Sequence, residues 1–349
     1  MRTTLKYVAR HLGISTSTIS RVVRGDPGVH ASTRERVKAA IAELGYTPHP
    51  MASALKSGHG GIIQVVLESE GAELVPAIFA GIADAAQKSG YRSLTSTMRY
   101  ERESLPIDER LVEGIVVVSD FEHEVDLRWL RRFTDVPIVC AYGYAREDAN
   151  AVSVVSDDFG GAMIATEHLL SLGRRRIAII GGIPHWIQSQ QRISGYLRCL
   201  ERHGIRPDEN IIEQGDWTRE SGYAACLRLL NKARFDGIFT ANDKMAAGVL
   251  HCLSDAEITV PEHVSVVGFD DRDLCKYVTP PLTSVALPLQ EMGRRSVQLL
   301  VERIRSHRNG DRLTSEVVTV PCALARRNSS RHLPDLRNDH LRKGETSCM

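Results

Sequence analysis

The first fifty residues alternate apolar and polar positions with the spacing of short amphipathic helices. Gly13 provides the backbone freedom for a sharp turn, and Ser15 is a suitable N-cap for the helix that follows it. In that second helix Ile19, Val22 and Val23 fall on one face. The first helix carries its apolar residues three and four positions apart, at Leu5, Val8, Ala9 and Leu12. Two amphipathic helices joined by a tight turn predict a helix-turn-helix unit.

The polar face of the second helix has the side chains that a DNA-reading helix needs. Arg21 can make a bidentate contact to guanine, whereas Thr16 and Ser17 can make only shorter, less discriminating contacts. A solvated helix of some other small bundle would show the same pattern, so these residues alone leave that alternative open. The residues that we expect to contact DNA from this face are Thr16, Ser17, Ser20, Arg21 and Arg24.

A third helix and a linker complete the N-terminal part of the chain. The third helix is predicted over residues 31–44, with Ala31 or Ser32 near its start and Gly45 ending it. Pro48 and Pro50 then block helix continuation, but the residues after them can form one short helix. These signals predict a headpiece over residues 1–46 and a hinge helix or linker over residues 47–60.

From residue 61 the pattern changes to short apolar runs separated by amphipathic helical stretches. Continuous apolar runs between helices indicate parallel strands that are covered on both faces. The apolar runs occupy residues 62–67, 114–119, 136–142, 176–182, 236–242 and 264–271, and the helical stretches include 75–89, 160–172, 190–203 and 243–253. About 260 residues exceed the needs of one such sheet, so we expect an α/β domain of two lobes over residues 61–328. Residues 329–349 are polar and lack periodicity or sustained heptads, which predicts a flexible tail and no tetramerising helix.

Composition adds a charge asymmetry and a lack of metal-site cysteine spacing to this outline. Residues 1–60 hold nine Lys or Arg and three acids, a net charge of +6, so the remaining residues sum to −5. A basic end on a mildly acidic body is typical of a DNA-binding module joined to a separate domain. The seven cysteines form no CxxC pair, and the N-terminus has no apolar signal segment. We therefore expect reduced thiols, no metal site, no membrane span and a cytoplasmic location.

Polar side chains at the predicted strand ends are candidates for a ligand site. In parallel sheets ligands bind beyond the carboxyl ends of the strands, which in a two-lobed domain is the cleft between the lobes. A sugar needs carboxylate and amide groups for its hydroxyls, an arginine donor and an aromatic face. This set is present at Arg192, Trp217, Asn242 and Asp270. Each residue alone is better explained as a helix cap or a turn residue, and only the set favours a sugar.

Residues 4–57 resemble the DNA-binding headpiece and hinge of the LacI/GalR family of transcription regulators. The resemblance extends through the body, with the most similarity to lactose-repressor-like members, in segments 167–182, 214–231, 241–250 and 265–285. It implies that Thr16, Ser17 and Arg21 read the major groove of DNA. It also implies a hinge helix that forms on the operator and wedges Leu55 into the minor groove. His49 and Ser53 depart from the residues usual in the family's hinge.

The resemblance also implies roles in the body. Arg192, Asn242 and Asp270 match positions that contact an effector, and Trp217 matches an aromatic that stacks on sugar ligands. Asp157 matches a common family aspartate in a strand-to-helix turn. Other segments depart from the family where they border the cleft: residues 68–75, the shortened stretch 99–113, Leu287 and Leu289. They bear on which effector binds.

These features predict a non-enzymatic repressor that acts as a homodimer and releases a pseudo-palindromic operator when a small molecule, most simply a sugar, binds between its lobes. No cofactor is expected, and the sequence has no GxSxG, P-loop or HExxH motif. Ser53 and Lys56 match an SxxK spacing by chance. A stand-alone sugar-binding protein would lack the headpiece. A family member that uses a non-sugar ligand, such as a purine, as corepressor is the alternative that stays open.

Overall fold

The computed structural model describes residues 4–23, 26–46, 60–68, 73–97, 107, 111–119, 124–146, 148 and 150–331. These residues form a three-helix headpiece and a larger α/β body of two lobes, as the sequence predicts. No helix within the described ranges is both long enough and apolar enough to cross a membrane. The hinge prediction for residues 47–60, which includes Leu55, lies outside the described residues except for its last position. Arg24 lies outside them as well.

The headpiece helices are α1 (Leu5–Leu12), α2 (Thr16–Val23) and α3 (Ala31–Glu43). Gly13 adopts the left-handed conformation, with a φ of 67°, and Ser15 Oγ accepts a hydrogen bond of 3.1 Å from the Thr18 amide. The predicted turn and N-cap are therefore confirmed. The helices share one apolar core, made of Val8, Ala9, Ile19, Val22, Val29, Val37, Ala40 and Tyr46.

One detail of the headpiece differs from the sequence prediction. Val23 is 37% exposed, because it is the last residue of α2 and falls beyond the core contact. Helix α3 begins at Ala31, as the sequence predicts, and the residue before it, His30, makes no side-chain capping bond. Gly45 has a φ of 57° and follows the end of α3, as predicted.

Lobe 1 is built on a six-stranded parallel sheet with the strand order β13-β7-β5-β3-β1-β2. A small two-stranded parallel sheet pairs β4 with β6. The helices that pack on lobe 1 are α4 (Val75–Lys88) and α9 (Leu289–Asn309). Its strands are β1 (Ile62–Leu67), β2 (Arg92–Thr97), β3 (Val112–Val118), β4 (Val125–Asp126), β5 (Ile138–Ala141), β6 (Ala145–Arg146), β7 (Val152–Ser156) and β13 (Glu316–Val320).

Lobe 2 holds the second six-stranded sheet, in the order β14-β12-β11-β10-β8-β9, with only β14 antiparallel. Its strands are β8 (Ile177–Gly181), β9 (Ile212–Gln214), β10 (Gly237–Thr240), β11 (Ser265–Asp270), β12 (Thr283–Ala286) and β14 (Ala323–Ala325). Its helices are α5 (Asp158–Ser171), α6 (Ile187–Arg202), α7 (Arg219–Lys232) and α8 (Asp243–Asp255). The chain crosses between the lobes after β7, after β12 and between β13 and β14.

The helices on each sheet approach one another at glycine positions. A Cβ on Gly81 of α4 would overlap the carbonyl oxygen of Gln290, and one on Gly293 of α9 would overlap the carbonyl of Ile78. In lobe 2 the same relation holds for Gly222 of α7, against the backbone of Met245. The helix backbones are thus in direct contact, which sets the spacing of the helical layers.

The end of lobe 2 includes two residues that the sequence assigned to the flexible tail. Ser329 and Ser330 are fully buried, at 0% and 2% exposure. The Ser329 hydroxyl donates to the carbonyl of Val266 at 2.6 Å and accepts from the Thr283 amide at 2.8 Å, while Ser330 Oγ lies 2.9 Å from His168 Nε2. The tail prediction was wrong at these positions, because short polar side chains can complete a sheet edge without apolar periodicity.

We expect Gly293→Ala to lower the free energy of unfolding by about 1–3 kcal/mol, because the added methyl must push α4 away from α9. Thermal or urea unfolding measures the loss. The control is Glu302→Ala, an exposed position of the same helix, for which we expect little change. Equal stability of the Gly293 variant and the wild type would contradict the close helix contact.

Candidate functional site: an interlobe cleft and a DNA-reading helix

A cavity of about 430 Å³ lies between the lobes. Lobe 1 contributes Glu73 and Leu74 at the start of α4, and lobe 2 contributes the turn after β11. The chain after β12 closes a further wall with Leu287 and Leu289. The complete lining is Glu73, Leu74, Asp270, Asp271, Arg272, Asp273, Leu274, Ala286, Leu287 and Leu289. The cavity therefore lies beyond the carboxyl ends of the lobe 2 strands, where the sequence predicts a ligand site.

The guanidinium of Arg192 is buried beside this cavity, with its side chain 3% exposed. Its Nε and Nη2 each lie 2.7 Å from Asp158 Oδ1, and its Nη1 donates to the carbonyl oxygen of Ala241 and lies 3.5 Å from Asp270 Oδ1. The Phe269 ring lies 3.8 Å from its Cζ. Burial alone would lower the pKa of Arg192, but Asp158 and Asp270 outweigh burial and raise it.

Asp158 is the main partner of Arg192, and sequence reasoning missed it. It is the first residue of α5 and is fully buried, and its Oδ2 accepts a hydrogen bond of 2.9 Å from Ser156. Burial raises its pKa even though Arg192 opposes that shift. Asp157, which the family resemblance singled out, instead caps α5 through the Gly160 amide at 2.8 Å. The two adjacent acids at positions 157 and 158 are the feature of the sequence that could have identified Asp158.

The turn after β11 directs two adjacent acids to different partners. Asp270 and Asp271 both have positive φ values, 105° and 56°, which non-glycine residues rarely adopt. Asp270 Oδ2 lies 3.0 Å from Arg272 Nε, while Asp271 lies 2.7 Å from Arg327 Nη1. The strained turn therefore presents Asp270 toward Arg192 and Asp271 toward Arg327, while both acids line the cavity.

Asn242 and Asp243 have structural partners in this arrangement. Asn242 caps α8, where its Oδ1 accepts from the Met245 amide at 2.8 Å and its Nδ2 donates to the carbonyl of Trp217 at 3.0 Å. Asp243 accepts from Ser284 Oγ at 2.5 Å and from the Arg272 amide at 2.7 Å. Burial, together with nearby Asp270, raises the pKa of the Asp243 carboxyl.

Trp217 is held in a strained position next to Arg192. Its φ is 72°, and its ring centroid lies 5.6 Å from Arg192 Cζ and 5.5 Å from the ring of Trp186. The ring covers Gly182, where any Cβ would overlap it. Within the described residues, Trp217 Nε1 and Ser189 Oγ are buried polar atoms with no hydrogen-bond partner. Orphaned donors of this kind suit a hydroxyl-bearing ligand.

Glu73 connects the two lobes across the cavity. Its carboxylate bonds to Arg272 Nη1 and lies 3.6 Å from Lys244 Nζ, and both cations belong to lobe 2. Partial burial favours a raised pKa, but the two cations outweigh it and lower the pKa of Glu73. Glu73 thus belongs to a chain of charges that runs through Arg272 and Asp270 to Arg192. It lies in the segment 68–75 that departs from the family pattern.

The structure brings the four predicted effector residues together, although only Asp270 lines the cavity itself. Asp270 and Trp217 both adjoin Arg192, and Asn242 adjoins Trp217. Sequence reasoning missed Asp158, Trp186, Arg272 and Glu73. Trp186 and Arg272 follow predicted strands, and this position could have identified them as candidate site residues. Nothing in the sequence pairs Glu73 with Arg272.

The second candidate surface is α2 of the headpiece. Ser17 is exposed, Thr16 and Ser20 are half-buried, and Ser17 Oγ lies 2.7 Å from Ser15 Oγ. Arg21 is exposed and donates from Nε to Asp26 Oδ2 at 2.8 Å, a hydrogen bond that raises its pKa. A contact from Arg21 to a base must therefore replace or share the bond to Asp26.

Comparisons with known proteins match both the headpiece and the body of the chain. A model described as bacterial regulatory proteins of the lacI family matches residues 4–49, and a periplasmic binding protein-like domain matches residues 166–330. The HTH-type transcriptional regulator CelR of Thermobifida fusca is 34% identical over 316 residues, which cover 87% of this chain and 92% of that protein. The chain belongs to the LacI family. The names of such relatives describe regulators, which agrees with the predicted absence of enzyme activity.

Solved structures of LacI-family regulators share this architecture. A CelR–cellobiose complex matches with a TM-score of 0.63 and 30% identity, covering 94% of this chain and all of that chain. A lac repressor dimer bound to operator and the anti-inducer ONPF matches with a TM-score of 0.71 and 27% identity, covering 95% and 99%. The predicted fold class, a helix-turn-helix headpiece followed by a two-lobed α/β domain, is thereby confirmed.

Asp158→Asn should reduce the free energy of unfolding by about 3 kcal/mol, because it removes the closest countercharge of the buried Arg192. Chemical denaturation measures this change. The matched control is Glu201→Gln, which breaks the exposed pair with Arg198 on the same helix and should cost less than about 1 kcal/mol. Similar small losses for both variants would mean that the buried pair contributes no special stability.

Proposed function

We propose that this LacI-family protein is a transcriptional repressor that is released from its operator when a sugar binds between the lobes. The observation that carries the sugar assignment is the combination of Arg192, Asp270 and Trp217 within one contact network. A guanidinium and a carboxylate can hold vicinal hydroxyls, and an indole can cover the C–H face of a pyranose ring. The cellobiose in the CelR complex supports this class of effector.

The same proposal gives the headpiece a symmetric DNA target. A homodimer would present two α2 helices about a two-fold axis to the two halves of a pseudo-palindromic operator. The lac repressor dimer on its operator supports this arrangement. Thr16, Ser17, Ser20 and Arg21 would face the major groove, joined by Arg24 and by Leu55 of the hinge. Such a repressor acts in the cytoplasm, where its operator lies.

Binding and release are linked through the relative position of the lobes. An effector that engages Asp270 and Arg192 competes with the contacts that these residues make to Arg272 and Ala241. Because Glu73 of lobe 1 holds the same Arg272, a change on one wall of the cleft reaches the other lobe. The sugar then favours one lobe arrangement, which disfavours the DNA-bound hinge. A coupling of about 1–3 kcal/mol would change operator affinity roughly 5–150-fold.

Titration of the protein onto an operator selected from a randomised duplex pool tests this function. We expect one class of mono- or disaccharide to weaken operator binding within the roughly 5–150-fold range, because the effector prefers the released arrangement. Fluorescence anisotropy of labelled operator gives the affinity. Purines and sugar phosphates belong in the same panel. Tighter operator binding with a purine would establish the corepressor alternative, and unchanged affinity with every compound would refute the proposed release.

Asp270→Asn should abolish the response to the active sugar while operator affinity without sugar stays within about threefold, since the headpiece is untouched. The control is Asp208→Asn, whose carboxylate makes an exposed pair with Arg176 and which should respond as the wild type does. Loss of both sugar response and operator binding would instead assign Asp270 a folding role.

For the headpiece, we expect Arg21→Ala to cost about 1–3 kcal/mol of operator binding and to relax the preference at one base position in each half-site. Binding to a set of single-base operator variants measures both effects. Lys88→Ala, on a surface helix of lobe 1, is the control for a general loss of positive charge. An equal loss on every operator variant would show that Arg21 contacts phosphate and reads no base.

A further inference from the structure

Three potential metal ligands meet on lobe 2 away from the cleft network. Glu167 lies in the later part of α5, Cys199 in the last turn of α6, and His203 directly follows that helix. His203 Nε2 lies 2.7 Å from Glu167 Oε2, and Cys199 Sγ lies 3.6 Å from the same oxygen. All three ligand atoms lie within 4.8 Å of one another.

The helix geometry explains why these side chains converge. Cys199 and His203 are four residues apart, so they share one face at the end of α6. That face packs on α5, because Gly195 of α6 lies against the backbone of Phe159 and a Cβ there would overlap its carbonyl oxygen. Glu167, two turns further along α5, is thereby placed opposite both ligands of α6.

We propose that Glu167, Cys199 and His203 form a binding site for a divalent transition metal ion of the zinc class. A carboxylate oxygen, a thiolate and an imidazole are zinc ligands, and the mixture of sulfur and nitrogen disfavours magnesium and calcium. A tetrahedral ion holds such atoms about 3–4 Å apart, so small side-chain rotations adapt the present cluster. Water fills the fourth position, because Glu167 and His203 are open to solvent.

Charge and proton balance agree with this ion. Without metal, the buried Cys199 side chain is a neutral thiol that donates its proton toward the Glu167 carboxylate. On binding, the S–H bond breaks, the proton passes to the buffer, and the thiolate sulfur bonds to the metal. The carboxylate and the thiolate then balance the two positive charges of the ion. The imidazole binds as the neutral ring and adds no charge.

Calorimetric titration of the full chain with zinc sulfate, under a metal-free reductant, tests the site. We expect one zinc ion per chain, with about one proton released, as shown by the dependence of the heat on the buffer. Thermal unfolding should shift upward with zinc by mass action. Cys199→Ser and His203→Ala should each weaken zinc binding at least tenfold. In both variants the upward shift of thermal unfolding with zinc should vanish. His203 is partly exposed, so its variant stays informative if the buried Cys199→Ser protein is less stable.

Two controls separate this cluster from chance binding. His251→Ala removes an exposed histidine that pairs with Asp255 and has no third ligand among the residues that the structure describes. Cys348→Ser removes a thiol near the C-terminus. Both should bind zinc as the wild type does. Cadmium should give a sulfur-to-metal charge-transfer absorption that Cys199→Ser loses and Cys348→Ser keeps. The absence of saturable one-to-one binding, or wild-type affinity in the His203 and Cys199 variants, would overturn the proposal.

Discussion

The buried positive charge of Arg192 is the constraint on which the cleft depends. A guanidinium 3% exposed to solvent is stable only if nearby groups replace its hydration. Three different parts of lobe 2 meet this need: the start of α5 through Asp158, the turn after β10 through the Ala241 carbonyl, and the turn after β11 through Asp270. The ends of these elements are therefore held together at one point, and the geometry of this side of the cleft follows from the need to pair one charge.

The buried charge of Arg192 is also connected to lobe 1 through a series of ion pairs. Asp270 is shared between Arg192 and Arg272, and Arg272 is shared with Glu73 of lobe 1. Glu73 therefore places a charged group of lobe 1 against lobe 2 at this point. A sugar that bonds to Asp270, as proposed, would compete with the ion pairs to Arg192 and Arg272. Through Arg272 it would also affect the contact with Glu73 of lobe 1.

The sequence predicts most of the fold and part of the site, for identifiable physical reasons. Buried parallel strands such as β1 and β11 are continuous apolar runs, and helix periodicity locates α4 and α8 within a few residues. The strand β2 is polar and largely exposed, so hydrophobicity does not reveal it. Ser329 and Ser330 are polar residues that complete the lobe 2 sheet, and no periodicity distinguishes them from a tail.

In the site, too, the sequence predicts some residues and does not predict others. Trp217, Asn242 and Asp270 lie at or shortly after the ends of strands, and Arg192 lies in the helix that follows β8. The order of strands and helices predicts that such residues gather at one sheet edge. Partners that depend on distant segments do not follow from that order. Asp158 pairs with Arg192 across 34 positions and Glu73 with Arg272 across 199, and no local pattern records either pairing.

Reciprocal coupling between sugar and operator can be measured as the sugar affinity with and without operator. Isothermal titration of the active sugar into the free protein and into the protein–operator complex gives both dissociation constants. Linkage requires the operator to weaken sugar binding by the same factor by which the sugar weakens operator binding, roughly 5–150-fold. Equal sugar affinity in the two titrations would show that the cleft and the headpiece are not coupled, and would contradict the account.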